Sequence, residues 1–160
     1  MPSTITRQKL VDAVKARMAT ILTSAGYYTN LGLKVSEWRA TPFGEEELGG
    51  CSVSDPEDVP IQESIKGGGT VQDRWLTVVI SLPFSGGSFT SGATMRQAVA
   101  DVYKAIGAAT PGFNLESWGG LAMLTEDMGN TKVVSQEEHR LIGVDITIRI
   151  MYRTRKWQES

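Results

Sequence analysis

With 160 residues and a formal net charge of −2 spread as mixed signs, the chain fits one domain and lacks the basic face of a dedicated nucleic-acid binder. Hydrophobic residues make up 41% of it and charged residues 21%, both ordinary for a soluble globular protein. A single cysteine, Cys51, excludes an intrachain disulfide.

The first predicted element is a helix over 7–24. Leu10, Val11, Val14, Met18, Ile21, Leu22 and Ala25 recur at three- and four-residue spacings and so form one stripe. Thr6 is the expected N-cap and Gly26 the expected left-handed stop, while Lys9, Lys15 and Arg17 fall off the stripe. Tyr27-Tyr28-Thr29-Asn30-Leu31-Gly32 reads as a turn carrying two aromatics. A strand is expected over 33–39, with Leu33 and Val35 on one side and Lys34, Ser36 and Trp38 on the other.

The composition then shifts. Between 41 and 72, Glu45, Glu46, Glu47, Asp55, Glu57 and Asp58 make the chain acidic, and Gly49-Gly50 and Gly67-Gly68-Gly69 punctuate it. Short strands over 50–54 and 60–65 are expected within an otherwise mobile acidic loop, with Pro60 confining the second to a sheet edge. Over 75–84, Leu76, Val78, Ile80 and Leu82 alternate with Trp75, Thr77, Val79 and Ser81, which is a strand pattern. Pairing is expected to stop near Pro83, which has no N–H to donate. A Gly/Ser connection over 85–92 leads to a second helix over 93–106. Met95, Ala98, Val99, Val102 and Ile106 form its apolar face, and Gly107 is its stop.

The last third predicts a hairpin. A strand over 121–126 precedes a polar stretch over 127–140, with Gly129-Asn130 as the expected tip. The strand over 141–153 has the strongest pattern in the chain. Ile142, Val144, Ile146, Ile148, Ile150 and Tyr152 take every second position, and Asp145, Thr147, Arg149, Met151 and Arg153 face the other way. The order of helix, strands, helix and hairpin has no regular βαβ alternation. The expected fold is therefore a single α+β domain over 1–160, a mostly antiparallel β-sheet with two helices packed on one face and long loops.

The search for chemistry returns little. Gly67-Gly68-Gly69 lacks the Lys-Ser/Thr that completes a phosphate-binding loop, and Gly86-Gly87 precedes no dinucleotide-binding pattern. Cys51 has no nearby base to hold a thiolate and reads as a small, half-buried strand residue. His139 follows Glu137 and Glu138, which on a strand or turn do not orient it as a general base. One Cys and one His are too few for a zinc site. Asp55, Glu57 and Asp58 lack the spacing of a calcium loop and read as a solvated acidic segment, with a metal- or ligand-binding α+β domain as the alternative. The sequence therefore predicts a non-enzymatic protein without cofactor or metal. No run of 18 apolar residues occurs, and Met1-Pro2-Ser3-Thr4 lacks a signal-peptide layout, so a chain made in the cytosol is expected. The face carrying Asp145, Arg149, Met151 and Arg153 reads as a solvated sheet face, or alternatively as an ion-paired subunit interface.

Two segments carry a family resemblance. Ile21-Leu22-Thr23-Ser24-Ala25-Gly26-Tyr27-Tyr28-Thr29-Asn30-Leu31-Gly32 leads into the strand with Val35. Near the end, Gln136-Glu137-Glu138-His139 feeds Gly143-Val144-Asp145-Ile146-Thr147-Ile148-Arg149-Ile150-Met151-Tyr152-Arg153-Thr154. With the order of elements, these stretches resemble the phage tail terminator (tail completion) proteins, the group that includes the minor tail protein U of lambda-like phages. The acidic insertion over 41–72 has no match in that pattern.

The resemblance implies a structural virion protein, assembled in the host cytoplasm as a homohexameric ring on the head-proximal end of the tail tube. Such a ring ends tube polymerisation, joins the tail to the head connector and passes DNA through its lumen without sequence readout. The expected partners are other copies of the chain, the tail tube protein and the head completion or connector protein, with no membrane. On this reading Asp145, Arg149, Met151 and Arg153 belong to the subunit interface. Loops over 44–69, 85–92 and 127–140 meet tube or connector, through Glu45, Glu46, Glu47, Asp55, Glu57, Asp58, Asp127, Asn130 and Lys132. Another head–tail connector component or a tube subunit is the neighbouring alternative.

Overall fold

Two fifteen-residue strands lie side by side at the centre of the molecule, and the rest is arranged around them. The computed structural model describes residues 5–37, 46, 48–61, 70–85, 92–108, 118–134 and 141–155. In chain order the elements are α1 (Thr6–Met18), β1 (Val35–Glu37), β2 (Cys51–Pro60), β3 (Val71–Ser85), α2 (Gly92–Gly107), β4 (Leu124–Val134) and β5 (Leu141–Arg155). The sheet runs β1-β2-β3-β5-β4; β1 is parallel to β2 and every other pair is antiparallel. This is the expected α+β architecture.

The alternation in β3 and β5 decides what faces what. Leu76, Val78, Ile80 and Leu82 stand opposite Ile150, Ile148, Ile146 and Val144, so the two apolar rows form one continuous face. Leu10, Val11, Val14 and Met18 of α1 and Met95, Ala98, Val102 and Ala105 of α2 join them in one buried core. Fully burying one such large side chain contributes roughly 1.5–3 kcal/mol. Both described helices thus cover the same face, and the opposite face carries Trp75, Thr77, Val79, Thr147, Arg149 and Met151.

Several boundaries differ from expectation. Helix α1 ends at Met18, and Thr6 is its first helical residue; Ile5 occupies the cap position without a side-chain cap bond. The Thr20 hydroxyl donates to the Arg17 carbonyl at 2.7 Å, occupying one of the last helical acceptors. The apolar spacing continues to buried Ile21, but over Thr23–Ala25 the backbone is a 3-10 turn. Gly26, left-handed at φ 85, closes that turn rather than α1.

The predicted acidic loop contains a ten-residue strand. Asp55, Glu57 and Asp58 lie in β2, with a register irregularity between Ser54 and Glu57 where Pro56, lacking an N–H, is accommodated. Pairing also runs past Pro83, which stands opposite Gly143. The Pro83 carbonyl accepts from the Gly49 N–H at 3.0 Å, away from β5. In a strand the N and C=O of one residue point the same way, so no β5 ladder bond is lost.

Gly129-Asn130 is not a hairpin tip. It sits mid-strand at a register irregularity in β4 between Asp127 and Asn130, with Gly129 at φ 92. Asp127 Oδ1 accepts both the Gly129 N–H at 2.8 Å and the Tyr103 hydroxyl of α2 at 3.0 Å, which fixes the bulge. Residues 135–140, with His139, lie outside the described residues, as do Glu45, Glu47 and Gly67-Gly68-Gly69.

Candidate functional site

On the sheet face away from the helices, the predicted interface residues come together as neighbours. Arg149 is opposite Thr77 on one side and Glu126 on the other. Its Nη2 donates to Glu126 Oε2 at 2.6 Å, and its guanidinium lies 4.1 Å from the centroid of the Trp75 ring. The Arg149 Nε is buried without a hydrogen-bond partner among the described residues. Arg153 makes a two-pronged contact with Asp73, at 2.7 and 3.1 Å. Met151 is half-buried opposite Trp75 and Leu124. Asp145 is half-buried between Ser81 and Thr131 and has no ion pair among the described residues. The two arginines are therefore already engaged within the chain, whereas Asp145 has no ion pair among the described residues.

The predicted contact residues divide. Asp55 and Asp58 belong to a network at one end of the sheet on the helix side. Arg7 of α1 donates from Nε to Asp55 Oδ2 at 2.5 Å and from Nη2 to the Asp55 carbonyl at 2.9 Å. Arg74 of β3 donates from Nε to Asp58 Oδ1 at 2.8 Å, and the Tyr152 hydroxyl donates to Asp58 Oδ2 at 2.8 Å. Burial first, then the Asp58 carboxylate, pushes the Tyr152 phenol well above its ordinary range. With an arginine on each, these aspartates act as braces between α1, β2 and β3 rather than as free metal ligands. Glu57, exposed on the other side of β2, has no such partner among the described residues. Asp127, Asn130 and Lys132 lie along the edge strand β4, and Glu46 is exposed.

A third arrangement was not predicted. Asp101 is 1% exposed on the apolar side of α2. Its carboxylate accepts the Tyr28 N–H at 3.0 Å, the Thr29 N–H at 2.8 Å and the Thr29 hydroxyl at 2.6 Å. The same turn is held from other directions. Asn30 Oδ1 accepts from the Thr23 N–H and hydroxyl, and Lys104 Nζ donates to the Gly26 carbonyl at 2.7 Å while lying over the Tyr27 ring. The Gly32 N–H donates to the Ile21 carbonyl, and a Cβ at Gly32 would stand 2.5 Å from the Ala19 carbonyl oxygen. One signal for this clasp is present in the sequence, a lone carboxylate between Ala98, Val102 and Ala105 on a buried helical stripe.

Cys51 is buried in β2, and desolvation alone pushes its thiol up to about 12, so it presents no nucleophile at neutral pH. Among the described residues no group of three or more His, Cys, Asp or Glu could hold a metal ion. Among them also no helix is long and apolar enough to cross a membrane.

No protein-family model matches the chain. No curated protein matches it. Its fold is similar to that of a chain in the solved structure described as the virion of a native gene transfer agent (GTA) particle. That likeness has a TM-score of 0.59 and 20% sequence identity, and covers 95% of this chain and 100% of the other.

Proposed function

We propose that this chain is a structural protein of a phage-type virion, and specifically a tail terminator. In this role copies of the chain close into a ring on the head-proximal end of the tail tube. The ring stops tube growth, offers a surface to the head connector and lets DNA pass without reading its sequence. The observation that carries the reading is the fold likeness over nearly the whole length of both chains to a component of a virion particle. The two segments that resemble tail terminators, 21–32 and 136–154, narrow it from virion protein to terminator.

The partners on this reading are further copies of the chain, the tube protein and the head completion protein, and the role needs no cofactor. A ring requires a head-to-tail contact between two different surfaces whose rotation closes. The test is solution mass by light scattering over a wide concentration range, with and without tube protein. A discrete particle of about six subunits, alone or only with tube protein, is the expected result. Open-ended growth would make the chain a tube subunit. A single chain at every concentration that ignores tube protein would overturn the assignment.

A further inference from the structure

The turn after α1 is built more firmly than its exposure calls for. Thr29, Asn30, Leu31 and Gly32 all have internal tasks: Thr29 bonds Asp101, Asn30 bonds Thr23, Leu31 is buried, and Gly32 passes under the end of α1. The side chain of Tyr28 has none among the described residues and is 68% exposed; Leu33, five residues on, is 70% exposed. Two large apolar side chains thus stand in water on a turn pinned by a buried carboxylate. Holding them there in advance removes much of the ordering cost of binding, which is how aromatic anchors concentrate affinity.

Charge indicates what these anchors meet. Lys34 and Lys104 flank the turn; they donate to neutral carbonyls, those of Leu48 and Gly26, and Lys104 also lies over the Tyr27 ring, so neither has an ion-pair partner among the described residues. On the far side of the molecule, the open sheet face presents Val59, Trp75 and Met151 in one row, with the Arg149 guanidinium over the Trp75 ring; Glu57 lies in the next row, and Val79 lies between Glu57 and Asp145. Neither acid has an ion-pair partner among the described residues, whereas Arg149 and Arg153 on that face are paired to Glu126 and Asp73. A turn with two exposed apolar side chains and two lysines lacking acid partners, on one side, is complementary in charge to a sheet face with two acids lacking basic partners, on the other, among the described residues.

We infer that the turn carrying Tyr28 and Leu33 docks on the open sheet face of a second copy of this chain. The inference rests on the ring reading and deepens it, because it names the two unlike surfaces that a head-to-tail ring joins. The turn supplies aromatic and aliphatic contact to Val59, Val79 and Met151 beside the Arg149–Trp75 stack. Lys34 and Lys104 set its register through Glu57 and Asp145.

The experiment uses two variants and their mixture, measured by light scattering under the conditions in which the unaltered chain assembles. One variant is Tyr28→Ser with Leu33→Asp, and the other is Glu57→Lys with Asp145→Lys. All four side chains lie outside the core, so near-ultraviolet circular dichroism of each variant should match the unaltered chain. Each variant alone is expected to need at least about tenfold more protein to assemble. Mixed together they retain one sound contact, the turn of the second variant on the sheet of the first, so assembly is expected to stop at a mixed pair. Full rings from either variant or from the mixture at the concentration at which the unaltered chain assembles, or a mixture that stays unpaired, would overturn this interface and leave the ring reading standing. An unaltered chain that stays single with and without tube protein would overturn the ring reading and this interface with it.

Discussion

Replacing Asp101 by alanine tests whether one carboxylate fastens the turn to α2. The side chain accepts three hydrogen bonds, at 3.0, 2.8 and 2.6 Å, in a position 1% exposed. A hydrogen bond to a charged group contributes about 1.5–3 kcal/mol. The three are not additive, because they share one acceptor and because water can reach donors on a turn whose Tyr28 is exposed. Asp101→Ala should therefore lower unfolding stability by about 3–4 kcal/mol, a large share of the 5–15 kcal/mol typical of a domain. Asp101→Asn keeps the shape and one accepting oxygen but turns a donor toward a donor, and should cost roughly half as much. Guanidinium unfolding followed by circular dichroism measures both, read from the midpoint at constant slope. A loss below about 1 kcal/mol for alanine, or none for asparagine, would refute the clasp as a source of stability.

Two further outcomes follow from other residues. Arg149→Glu removes the contact with Trp75 and sets a carboxylate opposite Glu126, so the chain should stay folded but lose about 1–2 kcal/mol in thermal melts. Arg149→Met, which can keep an apolar stem over the ring, should lose less than half of that, and equal losses would show that the charge plays no part. Burial raises the Cys51 thiol from 9.0 in the ordinary case to about 12 in the fold, so the unfolded chain gives up this proton first. That contribution to stability is complete below pH 9.0 and is lost as pH rises toward about 12, at up to about 1.4 kcal/mol per pH unit. Cys51→Ala should flatten this part of the alkaline stability curve. Labelling of the Cys51 thiol by a disulfide reagent at pH 8 should proceed only at the rate of opening, and immediate labelling of the folded chain would contradict it.

What the sequence made legible was periodicity. The apolar rows of β3 and β5 and the stripes of both helices follow from spacing, because each element has one face in the core, and they sufficed for the α+β class. Where partners distant in sequence decide, the pattern misleads. Asp55-Pro56-Glu57-Asp58 has the composition of a loop, yet Arg7 and Arg74 neutralise two of its acids and a bulge accommodates its proline, so it lies in a strand. Gly129-Asn130 has the composition of a turn, yet Asp127 and Tyr103 hold it as a bulge. At the candidate site, Asp145, Arg149, Met151 and Arg153 could be placed on one face by alternation alone. Their ties to Trp75, Glu126 and Asp73 could not, since those residues come from other strands. The Asp101 clasp joins α2 to a turn more than seventy residues earlier, a separation that no local spacing reveals.

The order of strands also governs how the molecule reaches this shape. β2 with β3 and β4 with β5 are neighbours in sequence as well as in space, so each pair can zip from a short connection. The central seam of β3 with β5 is different, because residues 86–140 lie between its nearest ends, Ser85 and Leu141. Of all the pairings in the sheet, this seam therefore closes the longest loop, and it is expected to form after the two sequence-local pairs. Closing so long a loop costs entropy before any seam contact repays it, which puts folding in the slower, millisecond-to-second range of non-local β topologies. A chain with that seam unpaired would bare the edges of two fifteen-residue strands, each with one apolar face, and misassociation would be expected to begin along them.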